Sequence, residues 1–166
     1  QLYQVKGYEL SWLTAPMPQV YVGANMPQML RMAARVADGV MMSDMPPALA
    51  EVALNQLAEN LTDKVRSLND FWSGSFTAWH VYADKEQARR EACQWMLLRG
   101  LFRPWVLSRF LSVEEVELVM TNAQSFVDAF TNRTHVIKNI PDKLLDKLVK
   151  NLTLTGSLDD LDSLIA

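Results

Sequence analysis

Val20-Tyr21-Val22-Gly23-Ala24-Asn25-Met26-Pro27 is the stretch whose reading decides the fold. Its first five residues form a β-branched and aromatic run without polar alternation, the pattern of a strand buried on both faces. Asn25 ends the run, and Pro27 is well placed in the first turn of a helix. Apolar residues then recur at Met29, Met32, Ala33, Val36 and Ala37, the spacing of one helical face. The stretch predicts a strand, a tight turn and a helix. Upstream, Ala15-Pro16-Met17-Pro18 reads as extended chain, because residues before proline are pushed out of the helical region.

Downstream the unit repeats in kind. Asp38-Gly39 closes the helix, Val40-Met41-Met42 is a second short buried strand, and Ser43-Asp44-Met45-Pro46-Pro47 is the connection after it. Leu49, Val52, Ala53, Leu57 and Leu61 mark a second helix running toward Leu68. Ser73-Gly74-Ser75 reads as the boundary before a strand from Phe76 to Ala83. Asp84, with Gln87 three residues on, is a variant capping box for a helix with Ala88, Ala92, Trp95 and Met96 on its face. Beyond it helices dominate. Gly100 to Phe110 is aromatic and basic, and Ser112-Val113-Glu114-Glu115 is a full capping box for a helix marked from Val116 to Phe130. Pro141 opens another, with Leu144, Leu145, Leu148 and Val149 on one face. Leu152-Thr153-Leu154-Thr155 is a candidate fourth strand, and Ser157 caps a last helix carrying Leu158, Leu161, Leu164 and Ile165. This order predicts an α/β fold with parallel strands covered by helices. Three or four strands cannot close a (β/α)8 barrel, which takes eight strands and typically ~250 residues. The chain reads as a small open sheet or a consecutive slice of a barrel.

Composition narrows the function. The chain has 166 residues, 49% hydrophobic and 21% charged, which suits one folded domain rather than a disordered segment. A net charge of −3 argues against a generally basic nucleic-acid surface. Charged residues interrupt every long apolar run, so no membrane span is expected. Cys93 is the single cysteine and points to a reducing, cytoplasmic setting. The start lacks the basic-then-apolar pattern of a signal peptide. A first residue Gln1, and a last helix that stops at Ala166 without a cap, suggest a piece of something larger.

The turn Gly23-Ala24-Asn25-Met26 is the leading candidate site. In parallel α/β proteins ligands sit at the carboxyl ends of strands, and a helix N-terminus there can hold a phosphate through its backbone N–H groups. The competing reading is an ordinary turn with Asn25 as helix cap. Ser43 and Asp44 follow the next strand and face the same mouth as substrate-side candidates, or form a solvated turn in which no cation stands by to hold a phosphorylated substrate. His80 is a third substrate-side candidate, or a hydrogen-bonded structural histidine. His135 reads as surface, and two histidines with one cysteine make no metal site. Arg99, Arg103 and Arg109 among Trp95, Phe102 and Trp105 read as a solvated face over an aromatic stripe, or as the cover of a substrate entrance.

Pro18 to Leu30, followed by Ala33-Ala34-Arg35-Val36-Ala37-Asp38-Gly39-Val40-Met41, resembles the luciferase-like family of flavin- and deazaflavin-dependent oxidoreductases. Phe76 to Val81 with Asp84 to Ala88, and Leu154 to Asp160, are similar to later stretches of that family, so the likeness covers the C-terminal half of a member. It implies the C-terminal portion of a (β/α)8 TIM barrel: βα units with the phosphate turn over 1–83, a helical insertion region over 84–150, and the start of the last βα unit over 151–166. It implies that Gly23, Ala24, Asn25 and Met26 bind the cofactor phosphate. The cofactor the resemblance implies is deazaflavin coenzyme F-420, which is favoured, or FMN. The implied reaction is hydride exchange with a small organic substrate, with catalytic residues in an N-terminal half, and the intact protein is expected to be a homo-oligomer. The alternatives are a reduced-FMN-dependent monooxygenase and a non-catalytic half-barrel module. Asn25-Met26 stands where the family has a glycine-containing pair, which leaves less room at the turn.

Overall fold

The computed structural model describes Gly7 and residues 18–45, 47–62, 66–99 and 103–165. Among the described residues the elements follow in the order β1 (Tyr21–Gly23), α1 (Pro27–Val36), β2 (Gly39–Ser43), α2 (Pro47–Thr62), β3 (Trp72–Phe76), β4 (Trp79–Tyr82), α3 (Lys85–Gln94), α4 (Pro104–Leu107), α5 (Val113–Thr121), α6 (Ala123–Thr131), α7 (Asp142–Leu152), β5 (Leu154–Ser157) and α8 (Leu161–Ile165). All strand pairs are parallel: β1 with β2, β2 with β3, and β4 with β5.

The run from Trp72 to Tyr82 joins the two sheets. Its first part pairs with β2, and the Phe76 carbonyl accepts from the Asp44 N–H at 2.9 Å. After Thr77-Ala78 the same run pairs with β5, and the Ala78 carbonyl accepts from the Leu154 N–H at 2.8 Å. The strands thus follow one another in chain order across the structure, as in a consecutive slice of a parallel barrel.

The two faces of the first sheet differ. Val40 and Met42 of β2 point into a core with Leu30, Ala33 and Ala34 of α1 and Leu57 and Leu61 of α2. On the opposite face the register brings Tyr21, Gly39 and Trp72 into one row, Gly23, Met41 and Gly74 into the next, and Ser43 and Phe76 into a third. That face is open: Tyr21, Trp72 and Phe76 are 44%, 47% and 62% exposed. The uniform apolar run therefore does not mark a strand buried on both sides within this chain.

Several elements differ from their sequence reading for identifiable reasons. The buried stripe of α1 is Leu30, Ala33 and Ala34, while Met29 and Val36 are exposed. Ser73-Gly74-Ser75 lies inside β3 rather than before a strand. A Cβ at Gly74 would lie 2.5 Å from the Trp72 ring, so this glycine admits an indole over the strand. The strand read as Leu152 to Thr155 sits at Leu154–Ser157, because α7 runs on to Leu152. The helix read through Phe130 is two helices, broken at Asn122, whose side-chain amide donates back to the Leu118 carbonyl at 2.8 Å. Around α3, α6 and α7, Ala92, Met96, Val119, Phe126, Leu145 and Leu148 continue the core. The capping boxes at Ser112 and at Ser157 with Asp160 both form. Asp84 caps α3 through the Glu86 N–H instead of pairing with Gln87.

Candidate functional site

The turn between β1 and α1 is shaped by Asn25. Its side-chain nitrogen donates to the Ser43 carbonyl at 2.6 Å, and the Ser43 N–H donates to its side-chain oxygen at 2.9 Å. A carboxamide carries one donor and one acceptor side by side, as a peptide group does, so Asn25 extends the β1–β2 ladder with its side chain. Just before it, the Ala24 N–H donates to the Met41 carbonyl at 3.1 Å, so that amide is occupied by the sheet. A Cβ at Gly23 would meet nothing within 4 Å, and the open face continues past it.

Because Asn25 is tied to Ser43, it does not cap α1. The N-cap is Met26, with extended backbone and no side-chain hydrogen bond, and the first turn holds no acidic residue. Pro27 has no N–H, and the first bond back along the chain is from Leu30 N–H to the Met26 carbonyl at 2.9 Å. The N–H groups of Gln28 and Met29 precede that bond, where a helix leaves donors for a cap, water or an anion. The turn therefore leaves N–H donors at the carboxyl end of a parallel strand, where water or an anion can accept from them. Beside it, Asn25, Met26 and Pro27 line a hollow of about 160 Å³ with Met45, Leu49 and Trp105.

Ser43 and Asp44 close the end of β2. Asp44 has φ +48°, a left-handed conformation uncommon outside glycine. Such a conformation persists where surrounding bonds over-determine it. Here they are the Asn25 clamp on Ser43, the Asp44 N–H on Phe76, and a 2.7 Å ion pair between the Asp44 carboxylate and Nη1 of Arg99. The side chains of Arg99 and Asp44 are only 19% and 24% exposed. This corrects two expectations. A cation does stand at this mouth, and Arg99 is not part of a solvated face. Arg103 and Arg109 are exposed as expected. The 55-residue separation of Arg99 from Asp44 explains why inspection of the strand ends misses the pair.

His80 lies on β4 and is half-buried, and its Nε2 finds no hydrogen-bond partner among the described residues. Nε of Arg99 is likewise buried without a partner among them. Burial and the positive field of Arg99 push the imidazole below its usual pKa of 6.5, against the opposing pull of Glu91. His80 is thus held neutral near the ion pair rather than satisfied as an ordinary core histidine.

The open sheet face supplies a feature that the sequence reading missed. Tyr21 and Trp72 meet edge to face with centroids 5.1 Å apart. A Cβ on Gly39 would lie 2.5 Å from the Tyr21 ring, so both aromatics lie over glycine backbone. Met41, Trp72, Gly74, Ser75 and Phe76 then line an apolar hollow of about 240 Å³. Gly74 has Trp72 two residues away in the sequence, but Gly39 is covered by Tyr21 of the neighbouring strand, which only the register shows.

The remaining candidates take structural places. Burial raises the Cys93 thiol to about 11, which keeps it protonated and unreactive. Asp160 pairs with Lys85 and accepts from Ser157 at the last helix start, interactions that lower its carboxyl to about 2. His135 is exposed, and no cluster of three potential metal ligands exists among the described residues. No described helix is long and apolar enough to cross a membrane.

Comparisons with known proteins agree with this architecture. The family described as luciferase-like monooxygenase matches residues 3–161. The 5,10-methylenetetrahydromethanopterin reductase of Archaeoglobus fulgidus is 27% identical over 97% of this chain and 47% of its own length. The chain thus spans about half the length of that curated relative. The solved coenzyme F-420-dependent tetrahydromethanopterin reductase of Methanopyrus kandleri superposes with a TM-score of 0.69 and 22% identity, over 89% of this chain and 40% of that one. The fold is therefore a partial barrel of parallel strands and covering helices. With the family pattern matched from residue 3 to residue 161, the chain belongs to the luciferase-like monooxygenase family.

Proposed function

We propose that the chain forms the cofactor-phosphate side of an oxidoreductase that exchanges a hydride between the deazaflavin coenzyme F-420 and a small organic substrate. The observation that carries this reading is the N-terminus of α1, without a side-chain cap at the carboxyl end of β1. Its first-turn N–H groups and positive dipole end fit a phosphate and need no lysine. Asn25 keeps its side chain on Ser43, so the residue that replaces a glycine does not close the cradle. Gly23 and Met26 flank the cradle, and Ala24 anchors it to β2. The relatives named above support the deazaflavin over FMN, since one is described as dependent on coenzyme F-420.

When bound, the deazaflavin supplies the hydride donor or acceptor, and the protein supplies binding, orientation and exclusion of water. Gln28 and Met29 N–H groups hold the phosphate end. Ser43, Asp44 and His80 stand on the substrate side, with Arg99 as a cation fixed by Asp44. Tyr21, Trp72 and Phe76 form an exposed apolar face beneath the mouth.

Titrating the full-length protein separately with coenzyme F-420 and with FMN, followed by fluorescence, tests the reading. Tighter binding of the deazaflavin is expected. Binding of FMN alone, with oxygen uptake in the presence of a flavin reductase, would move the assignment to a monooxygenase. Binding of neither would remove the oxidoreductase reading and leave a half-barrel interaction module.

A further inference from the structure

We propose that Asn25 is a positioning residue that couples the two sides of the mouth, so that an anion held at the start of α1 also fixes the Ser43–Asp44 turn. The inference rests on the cofactor-phosphate reading of that turn. It goes beyond it by assigning a side chain, rather than the backbone, to the transmission of binding.

The path is short and continuous. Asn25 precedes the N-cap residue Met26, so any closing of the α1 N-terminus on an anion moves the Asn25 backbone directly. Its side chain makes both bonds to the Ser43 main chain, at 2.6 and 2.9 Å. Ser43 is followed by Asp44 at φ +48°, and Asp44 holds Arg99 at 2.7 Å. Four groups in succession are therefore joined by covalent bonds, hydrogen bonds or an ion pair: the α1 start, the carboxamide, the left-handed turn and the guanidinium. Only an amide side chain of this length offers a donor and an acceptor to the C=O and N–H of this one residue. Aspartate would offer the acceptor alone, and glycine or alanine neither. Asp44 is also the kind of element through which such coupling acts. Its backbone sits in a sparsely populated region and is kept there from three directions: the Asn25 clamp on the preceding Ser43, its own N–H on Phe76 and its carboxylate on Arg99.

Hydrogen–deuterium exchange on the full-length protein tests the coupling, with inorganic phosphate and coenzyme F-420 as the two probes. In the wild type each probe is expected to slow exchange at residues 26–30 and at residues 43–45. In Asn25→Ala, slowing at 26–30 should persist while slowing at 43–45 is lost. In the free protein the same substitution should speed exchange of the Ser43 amide by about tenfold or more, the loss of one hydrogen bond of roughly 1.4 kcal/mol. Asn25→Asp keeps the acceptor for that amide and should restore part of its protection, which guards against an alanine variant that fails to fold. A merely structural role would change the free-protein rates and leave the probe-linked difference intact at both segments. Protection at 43–45 that survives in a folded Asn25→Ala, or wild-type protection confined to 26–30, overturns the coupling alone. Protection at neither segment by either probe overturns the phosphate reading and the coupling with it.

Discussion

α5 begins with its loose ends tied, and α1 begins with none tied. At α5 the Ser112 hydroxyl accepts from the Glu115 N–H at 3.3 Å while the Glu115 carboxylate accepts from the Ser112 N–H at 3.0 Å. Two acidic residues sit in that first turn, and Lys147 of α7 reaches across to Glu115. At α1 the cap position is Met26, the first turn carries no acid, and the side chain of Asn25 is bound to another strand. Both helices have about the same length, 9 and 10 residues, so the difference is not one of size. It teaches that α5 is finished by its own side chains. At the β1–α1 turn no described side chain caps the helix, and its first N–H groups are left for water or a ligand.

The largest effect expected on either side is the loss of a core side chain. Leu148 of α7 is fully buried, and Leu148→Ala should lower unfolding free energy by about 3 kcal/mol or more in thermal or denaturant melts. Cofactor affinity of the remaining folded protein should not change. If it did, the helical region would be part of the site and the contrast with α1 would fail. Next comes the reverse manipulation at α1. Met26→Asp supplies the missing cap and a negative charge, so binding of a phosphate-bearing cofactor should weaken by about 1.5 kcal/mol, roughly tenfold. The same variant should melt higher, by the ~1 kcal/mol that a cap contributes. A variant that gained stability and kept full affinity would show that α1's free amides are not used.

Ser112→Ala breaks the capping box of α5 and should reduce stability by about 1 kcal/mol without altering cofactor binding. Titration by calorimetry alongside the melt separates the two quantities. The smallest effect concerns His80. Its pKa is lowered in the folded protein, so the unfolded chain binds the proton more readily. Stability is then full above about 6.5 and declines as pH falls below it. His80→Gln should flatten that decline in melts taken across pH 5 to 7 (a range set by the usual histidine pKa). An unchanged slope would mean that His80 titrates alike in both states.

Much of this contrast was legible before any coordinates. Ser112-Val113-Glu114-Glu115 announces its cap because the partners lie three residues apart, within one helical turn. Pro27 and the spaced alanines of α1 announce a helix for the same local reason. Asn25 did not announce its role, because an asparagine before Met-Pro fits a helix cap as well as a strand extension. What decides between them is Ser43, 18 residues away. Arg99 reads as part of a solvated face because the chain is acidic overall, and its partner Asp44 lies 55 residues away. Ser73-Gly74-Ser75 looked like punctuation because strand propensity counts the glycine against a strand, whereas the indole of Trp72 needs that position empty. The family resemblance carried the partial-barrel fold. It gave no account of the Asn25–Ser43 bond, since the residues it quotes differ from the usual pattern at that position.

The kinked run from Trp72 to Tyr82 also sets an order of assembly. The first sheet closes over short loops, with Asn25 and Ser43 only 18 residues apart. The second closes over the whole helical region, and Lys85 and Asp160 at its far end are 75 residues apart. Loop-closure entropy makes the longer contact dearer by about 1 kcal/mol, and rates fall as contacts become less local. β1, β2 and β3 with α1 and α2 can therefore collapse as an early layer. β5 must then find the edge at β4 after the helices between them have formed. Substitutions at Leu154 or Thr155 should slow the last phase of refolding, while those at Val22 or Val40 should act on the first.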